Sequence, residues 1–334
     1  MDRCRRLPLT PPQMTIASID IGTNTILLLI ADVDTDGQIT VRTEEQRIPR
    51  LGRGVDKRGV LGEDAMTRAI RALKEYVRII RKCGVDTTIV CGTSALRDAA
   101  NRGRFIDRVG KETGLTVEVL SGDEEAEWTY KGAISGVQGV GRGTVVDIGG
   151  GSTEISLGDA RHVEKKISLP LGSVRLTEKA FLHDPPSGVE LESAIEIVEQ
   201  SLQHAPTFAG STLIGVAGTA TSLAILAQGL PDFDMRAVTG FRLRRDRVEE
   251  LFQMLSTLPS ARVRSLSSVM QGRHDIILAG TLILREIMFH FGFDELIVSE
   301  RGVRYGLVLR EWARREREAG PKDAPVSDEP SSDR

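Results

Sequence analysis

The sequence predicts an α/β protein built from two similar lobes. Three observations predict it. Its 334 residues suffice for about two domains. Strand-like and helix-like segments alternate through the first hundred residues. One pattern also occurs twice: a β-rich run, Asp-Ile-Gly, a turn of small polar residues, then a second β-rich run. Hydrophobic residues at 40% and charged residues at 27% are ordinary for a globular chain, and aromatics at 4% leave the core to aliphatic side chains.

The first copy opens with Thr15-Ile16-Ala17-Ser18-Ile19 and runs into Asp20-Ile21-Gly22-Thr23-Asn24. A second strand, Ile26 to Asp32, follows so closely that the spacing predicts a hairpin with a glycine-bearing turn. A third strand is expected over Ile39 to Gln46, after Asp36-Gly37. From Glu63 to Cys83 the apolar positions Met66, Ile70, Leu73, Val77 and Ile80 step by three or four, which predicts a helix that Gly84 stops. Thr87 to Cys91 reads as a buried strand. The second copy is Gly143 to Val146, Asp147-Ile148-Gly149-Gly150-Gly151-Ser152-Thr153, then a strand over Glu154 to Leu157. A third glycine turn, Gly215 to Thr221, follows a strand over Thr212 to Ile214 and precedes a helix. Residues 1–13 read as a disordered extension, with Met14 an alternative start, and 319–334 as a disordered tail.

Several function classes fall away. The longest apolar run, Ile26 to Ala31, is far short of a membrane span, and the first residues carry no apolar signal-peptide segment. Cys4, Cys83 and Cys91 form no disulfide framework and have no metal-site spacing, which fits a reducing, cytoplasmic setting. A net charge of −3 gives no global field for nucleic acid. Positive charge is local, in Arg47, Arg50, Arg53, Lys57 and Arg58 and in Arg242, Arg244, Arg245 and Arg247. Each cluster reads either as a solvated face or as a track for a polyanion. No Gly-x-x-x-x-Gly-Lys-Ser/Thr occurs, and no Gly-x-Gly-x-x-Gly follows a strand. His162, His183, His204, His274 and His290 are scattered, with no zinc spacing.

The two Asp-Ile-Gly turns carry the chemistry. Without bulky Cβ groups, successive backbone N–H groups can converge on one anion, and the hydroxyls of Thr23, Ser152 and Thr153 add donors. One such turn alone would be a tight hairpin; two, with the third turn, point to adjacent phosphates of a chain. Asp20 and Asp147, each at a strand end beside such a turn, suit a magnesium ion or another divalent cation that keeps several waters.

Asp20-Ile-Gly-Thr-Asn, Asp147-Ile-Gly-Gly-Gly-Ser-Thr-Glu154 and Gly215-Val-Ala-Gly-Thr together resemble the phosphate and nucleotide loops of the actin, sugar-kinase and heat-shock chaperone superfamily. Within it, the chain resembles the exopolyphosphatase / guanosine-pentaphosphate phosphohydrolase family. Gly92 to Ala99 with Asn101, Leu120 to Ala126, Leu169 to Leu176 and Arg301 to Gly306 carry that resemblance, which spans about Ala17 to Trp312 in colinear order.

The resemblance implies two actin-like (ribonuclease H-like) lobes with a cleft between them: lobe I from 14–122 plus 287–318, lobe II from 123–286. It implies hydrolysis of a terminal phosphoanhydride in polyphosphate, guanosine pentaphosphate or both. Glu125 would be the general base, with Glu124 left to cap its helix through Ser121-x-x-Glu124. Gly22, Thr23, Asn24, Arg97, Gly149, Gly150, Gly151, Ser152, Gly218 and Thr219 would bind phosphate, and Asp20, Asp147 and Glu154 would face the metal. The alternative for Arg97 is a surface residue at a helix start, and for Glu154 an exposed strand residue. A homodimer is compatible with this reading, as are two other activities: a small-molecule kinase of the superfamily and a non-catalytic binder of alarmone nucleotides. The chain departs from the family in Glu127, where Arg is common, in the apolar Thr25-Ile26-Leu27, and in ending its ordered text near residue 318, which places it with the short, two-lobe forms.

Overall fold

The computed structural model describes residues 14–319 except 138, 204 and 209–211; the expected N-terminal extension, the tail from 320 onward and His204 lie outside the described residues. The first sheet holds β1 (Met14–Ile21), β2 (Ile26–Val33), β3 (Ile39–Arg47), β4 (Thr87–Gly92) and β5 (Glu118–Val119), in the order β3-β2-β1-β4-β5. β1 pairs antiparallel with β2 and parallel with β4. Nearly every residue of β1 and β2 is buried, and β2 opens as a continuous apolar run from Ile26 to Ala31 rather than an alternation. Helix α1 (Glu63–Cys83) covers one face and ends on Gly84, whose φ of 61° is left-handed, a conformation glycine takes without a Cβ penalty. A short helix, α2 (Ser94–Asp98), follows β4.

The second sheet holds β6 (Arg142–Ile148), β7 (Thr153–Asp159), β8 (Val163–Leu169), β9 (Thr212–Val216), β10 (Arg242–Arg244) and β11 (Glu295–Val298). Its order is β10-β11-β9-β6-β7-β8. Read as β8-β7-β6-β9-β11, it repeats the first sheet strand for strand, with β6 antiparallel to β7 and parallel to β9. The duplicated sequence pattern is thus a duplicated topology, with β10 added antiparallel at one edge. Helices α3 (Gly122–Gly136), α4 (Ala217–Gln228), α5 (Ile277–Phe291) and α6 (Val303–Ala319) complete the frame.

Two expectations need correction. Residues 287–302, expected with lobe I, lie in lobe II: Ile287, Met288, Phe291, Phe293, Leu296 and Val298 are in its core, and β11 pairs with β9. Only α6 returns to lobe I, packing Tyr305 and Val308 on Ile16, Leu29 and Val33. The third glycine turn is not a loop. β9 extends to Val216, and Gly218 and Thr219 are in the first turn of α4. α3 and α6 cross at glycines: a Cβ on Gly306 would stand 1.8 Å from the carbonyl oxygen of Trp128. No helix among the described residues is long and apolar enough to cross a membrane.

Candidate phosphate cleft

β1 and β6 deliver Asp20 and Asp147 to the junction of the lobes. There a pocket of about 90 Å³ gathers Asp20, Gly22, Thr23, Asn24, Glu125, Asp147, Gly149, Gly150, Gly151, Ser152 and Gly218. The two turns are built alike. Gly22 N–H donates to the Thr25 carbonyl at 2.9 Å, and Gly149 N–H to the Ser152 carbonyl at 3.0 Å. The N–H groups of Thr23, Asn24, Gly150 and Gly151 have no acceptor among the described residues, which leaves them for an anion. None of these glycines has a positive φ. Their smallness is needed for contact across the cleft: a Cβ on Gly151 would lie 2.4 Å from Ser94 Oγ, and one on Gly150 would lie 2.9 Å from Thr23 Cβ.

Glu125 sits in the first turn of α3 and is 8% exposed. Arg97 Nη1 donates to its Oε2 at 2.5 Å. Burial pushes the Glu125 carboxyl up, and Arg97 and Thr93 oppose the shift. The neighbouring Glu124 instead closes a capping box. Its carboxylate accepts from Ser121 N–H at 2.8 Å, its own N–H donates to Ser121 Oγ at 3.2 Å, and the bond from Ser121 holds its pKa low.

Three expected site residues line no part of this pocket. Arg97 faces an adjoining cavity of about 560 Å³ with Lys166 and Arg175. Glu154 is 2% exposed, not an exposed strand residue; it accepts from Ser168 Oγ at 2.7 Å and lies 3.8 Å from Arg97. Thr219 donates to the Ile148 carbonyl at 3.2 Å and so serves the fold. Sequence reasoning missed Arg273, whose guanidinium packs against Gly218, where a Cβ would stand 1.8 Å from Nη1. It makes no carboxylate pair among the described residues, and burial lowers its pKa to about 10. Its nearest signal is the polar stretch Gln271 to Asp275 just before an apolar helix. Thr93, Ser94 and Ser173 also line the pocket, and Ala217 does so in a left-handed conformation, φ 60°.

The arginine clusters are largely paired. Arg47 bonds Glu45 and Glu75, and Arg50 spans the lobes to Asp275. Arg242, Arg244, Arg245 and Arg247 pair with Glu295, Asp246, Asp294 and Glu250. That second cluster is a solvated face. Glu127 lies between Lys131 at 2.8 Å and Lys166 at 3.1 Å, so its charge is compensated where it stands.

Among the described residues, no three His, Cys, Asp or Glu side chains converge closely enough to hold a metal by themselves. The donor set still fits a hard divalent cation, which takes one or two carboxylates and completes its shell with phosphate oxygens and water. Burial and then the Glu125 charge raise Asp20 to about 7, and burial, Glu125 and Asp20 raise Asp147 to about 8. Glu154 is raised well above the usual carboxylate range, by burial first. Carboxyls whose folded pKa exceeds the unfolded value keep protons that the unfolded chain has lost. The contribution of these cleft carboxyls to stability is therefore largest on the acid side and falls as pH rises towards about 8. The metal-free Tm is expected to drop by several degrees from about pH 5 to about pH 8, and magnesium to restore more of it at the higher pH. A pH-independent magnesium shift in scanning calorimetry would contradict this.

Known proteins share this fold. The model of the Ppx/GppA phosphatase family matches residues 29–315. Exopolyphosphatase 2 of Mycobacterium tuberculosis is 36% identical over 311 residues, covering 88% of this chain and 97% of its own. The bifunctional 3-dehydroquinate synthase/phosphatase of Fusobacterium nucleatum is 37% identical over 306 residues, covering 88% of this chain but 46% of its own. This chain therefore spans about half the length of that relative. The crystal structure of the Aquifex aeolicus Ppx/GppA family member superposes with a TM-score of 0.77 at 34% identity, covering 90% of this chain and 98% of that one. Membership implies a general need for a divalent metal. With two copies of one actin-like topology meeting at paired aspartates, glycine turns and a buried glutamate, the chain belongs to the Ppx/GppA phosphatase family and is a phosphohydrolase of that class.

Proposed function

We propose that the chain removes the terminal phosphate of inorganic polyphosphate by water attack, with Glu125 as general base and magnesium at Asp20 and Asp147. The observation that carries this reading is the meeting of Glu125, both aspartates, both glycine turns and Arg273 in one cleft. No aromatic side chain lines that cleft or the cavities adjoining it, so no aromatic platform for a guanine is present there. An inorganic chain is therefore favoured over guanosine pentaphosphate, which offers the same terminal bond. The larger cavity shares Ser94, Gly151 and Ser152 with the pocket, and its Arg97, Lys166 and Arg175 suit a continuing polyanion.

In the mechanism, Glu125 takes a proton from a water in line with the terminal phosphorus. The new P–O bond forms as the bridging P–O bond breaks, giving orthophosphate and a chain one phosphate shorter. Free backbone N–H groups and Arg273 meet the charge that spreads over the equatorial oxygens. A bound divalent cation would neutralise charge on the transferred group and on the leaving oxygen. Arg97 holds the Glu125 carboxylate in place and opposes its protonation. Arg50 to Asp275, and Arg175 to Asp56 and Asp98, tie the lobes together across the cleft.

The test is phosphate release from polyphosphates of several lengths, guanosine pentaphosphate and ATP, with magnesium and with excess EDTA. Release from polyphosphate only with magnesium is expected. Full activity in EDTA would remove the metal from the mechanism. ADP formation that depends on a second substrate would indicate a kinase, and tight binding without release a non-catalytic binder.

A further inference from the structure

A second cavity, of about 480 Å³, lies between α3, α6 and the turn joining β7 to β8, and shares no lining residue with the phosphate cleft. Its volume is that of a small-molecule site. Two indoles, Trp128 and Trp312, line it. Around them stand Lys131, Arg161, Arg310 and Arg317, against a single carboxylate, Asp159. The Lys131 ammonium lies 4.3 Å from the centroid of the Trp128 ring. Lys131 is paired with Glu127 and Arg310 with Glu118, but the side chains of Arg161 and Arg317 have no carboxylate partner among the described residues.

Indole faces suit a planar ring, and unpaired arginines an anionic group. We propose that this cavity binds a small planar aromatic anion of the nucleoside phosphate class, with Trp128 and Trp312 holding the ring and Arg161 and Arg317 the phosphate. Nothing in the phosphoanhydride chemistry uses these residues, so the inference stands apart from the proposed function.

The chain has two tryptophans, both in this cavity, so intrinsic tryptophan emission reports on it directly. The probe is adenosine 5′-monophosphate, which carries a ring and a phosphate but no phosphoanhydride bond. Titrating it into the full chain should quench the emission saturably, and saturating inorganic triphosphate in the phosphate cleft should leave the quench in place. Arg161→Glu, an exposed turn position, should weaken the apparent affinity by about tenfold or more. Ala313→Phe, which fills the cavity, should abolish the quench with the circular dichroism unchanged. No quench at millimolar adenosine monophosphate overturns the proposal. So does a quench that inorganic triphosphate removes, or one that both substitutions leave intact.

Discussion

Glu125→Gln is expected to lower turnover by about a hundredfold to ten-thousandfold while leaving polyphosphate bound as tightly or more tightly. The amide is nearly isosteric with the carboxylate and cannot take a proton from water at neutral pH. It can still accept from Arg97 Nη1, which now sits 2.5 Å from Glu125 Oε2, so the helix start and the Arg97 position should survive. Removing one negative charge beside Asp20 and Asp147 also relieves the repulsion that raises both of their pKa values. Binding of a polyanion should therefore hold or improve even as chemistry stops. Glu124→Gln is the internal control. Its carboxylate accepts from Ser121 N–H and Oγ and is exposed, so the cost is about 1 kcal/mol of stability or less, with turnover nearly intact. Single-turnover phosphate release alongside equilibrium binding separates the two effects. An inactive Glu124→Gln with an active Glu125→Gln would move the base by one residue. Full turnover in both would point to Glu154 or Asp147.

What the sequence made legible follows from which signals are local. The first hairpin, the Glu63–Cys83 helix with its stop at Gly84, and the second Asp-Ile-Gly turn are written in contiguous residues, and the structure has them within about two residues. The lobe assignment of 287–302 was not legible. The first two turns of α5, Ile277 to Leu284, are buried all round in the core of lobe II, so their text carries no direction. Glu154 looked exposable because a β-strand alternates. Yet β7 lies inside the sheet with both faces covered, and the residue is buried. Gly218 and Thr219 read as loop because glycine and threonine are poor helix formers, but Gly218 is required by the Arg273 guanidinium beside it. Arg273 itself is one of 44 lysines and arginines in the sequence. Only the three-dimensional fact of a cation in the cleft without a carboxylate singles it out. The contact of Arg97 with Glu125 joins residues 28 apart, and no spacing rule predicts it.

Gly150→Val is expected to weaken polyphosphate binding by about a hundredfold or more, close to 3 kcal/mol, while the two lobes remain folded. A Cβ at this position would stand 2.9 Å from Thr23 Cβ, 3.0 Å from Thr23 Cγ2 and 3.1 Å from Val174 Cγ2. Thr23 belongs to lobe I and Gly150 to lobe II, so the cheapest relief is for the lobes to part rather than for either core to break. Parting separates the two sets of free N–H groups, which must act together on neighbouring phosphates. It also strains the ion pairs of Arg50 and Arg175 across the cleft. The branched side chain would in addition occupy space that a phosphate oxygen needs. Gly149→Ala is the graded comparison: its Cβ would meet only the Ser152 carbonyl oxygen, at 3.1 Å, within its own turn, so a smaller loss is expected. Both are best measured by calorimetric titration of inorganic triphosphate in a Glu125→Gln background, where turnover does not deplete the ligand. Circular dichroism and Tm then establish that each variant is folded. Unchanged affinity in a folded Gly150→Val protein would show that the two turns need not approach each other, and phosphate recognition would have to rest on Arg273 and the cations of the adjoining cavity instead.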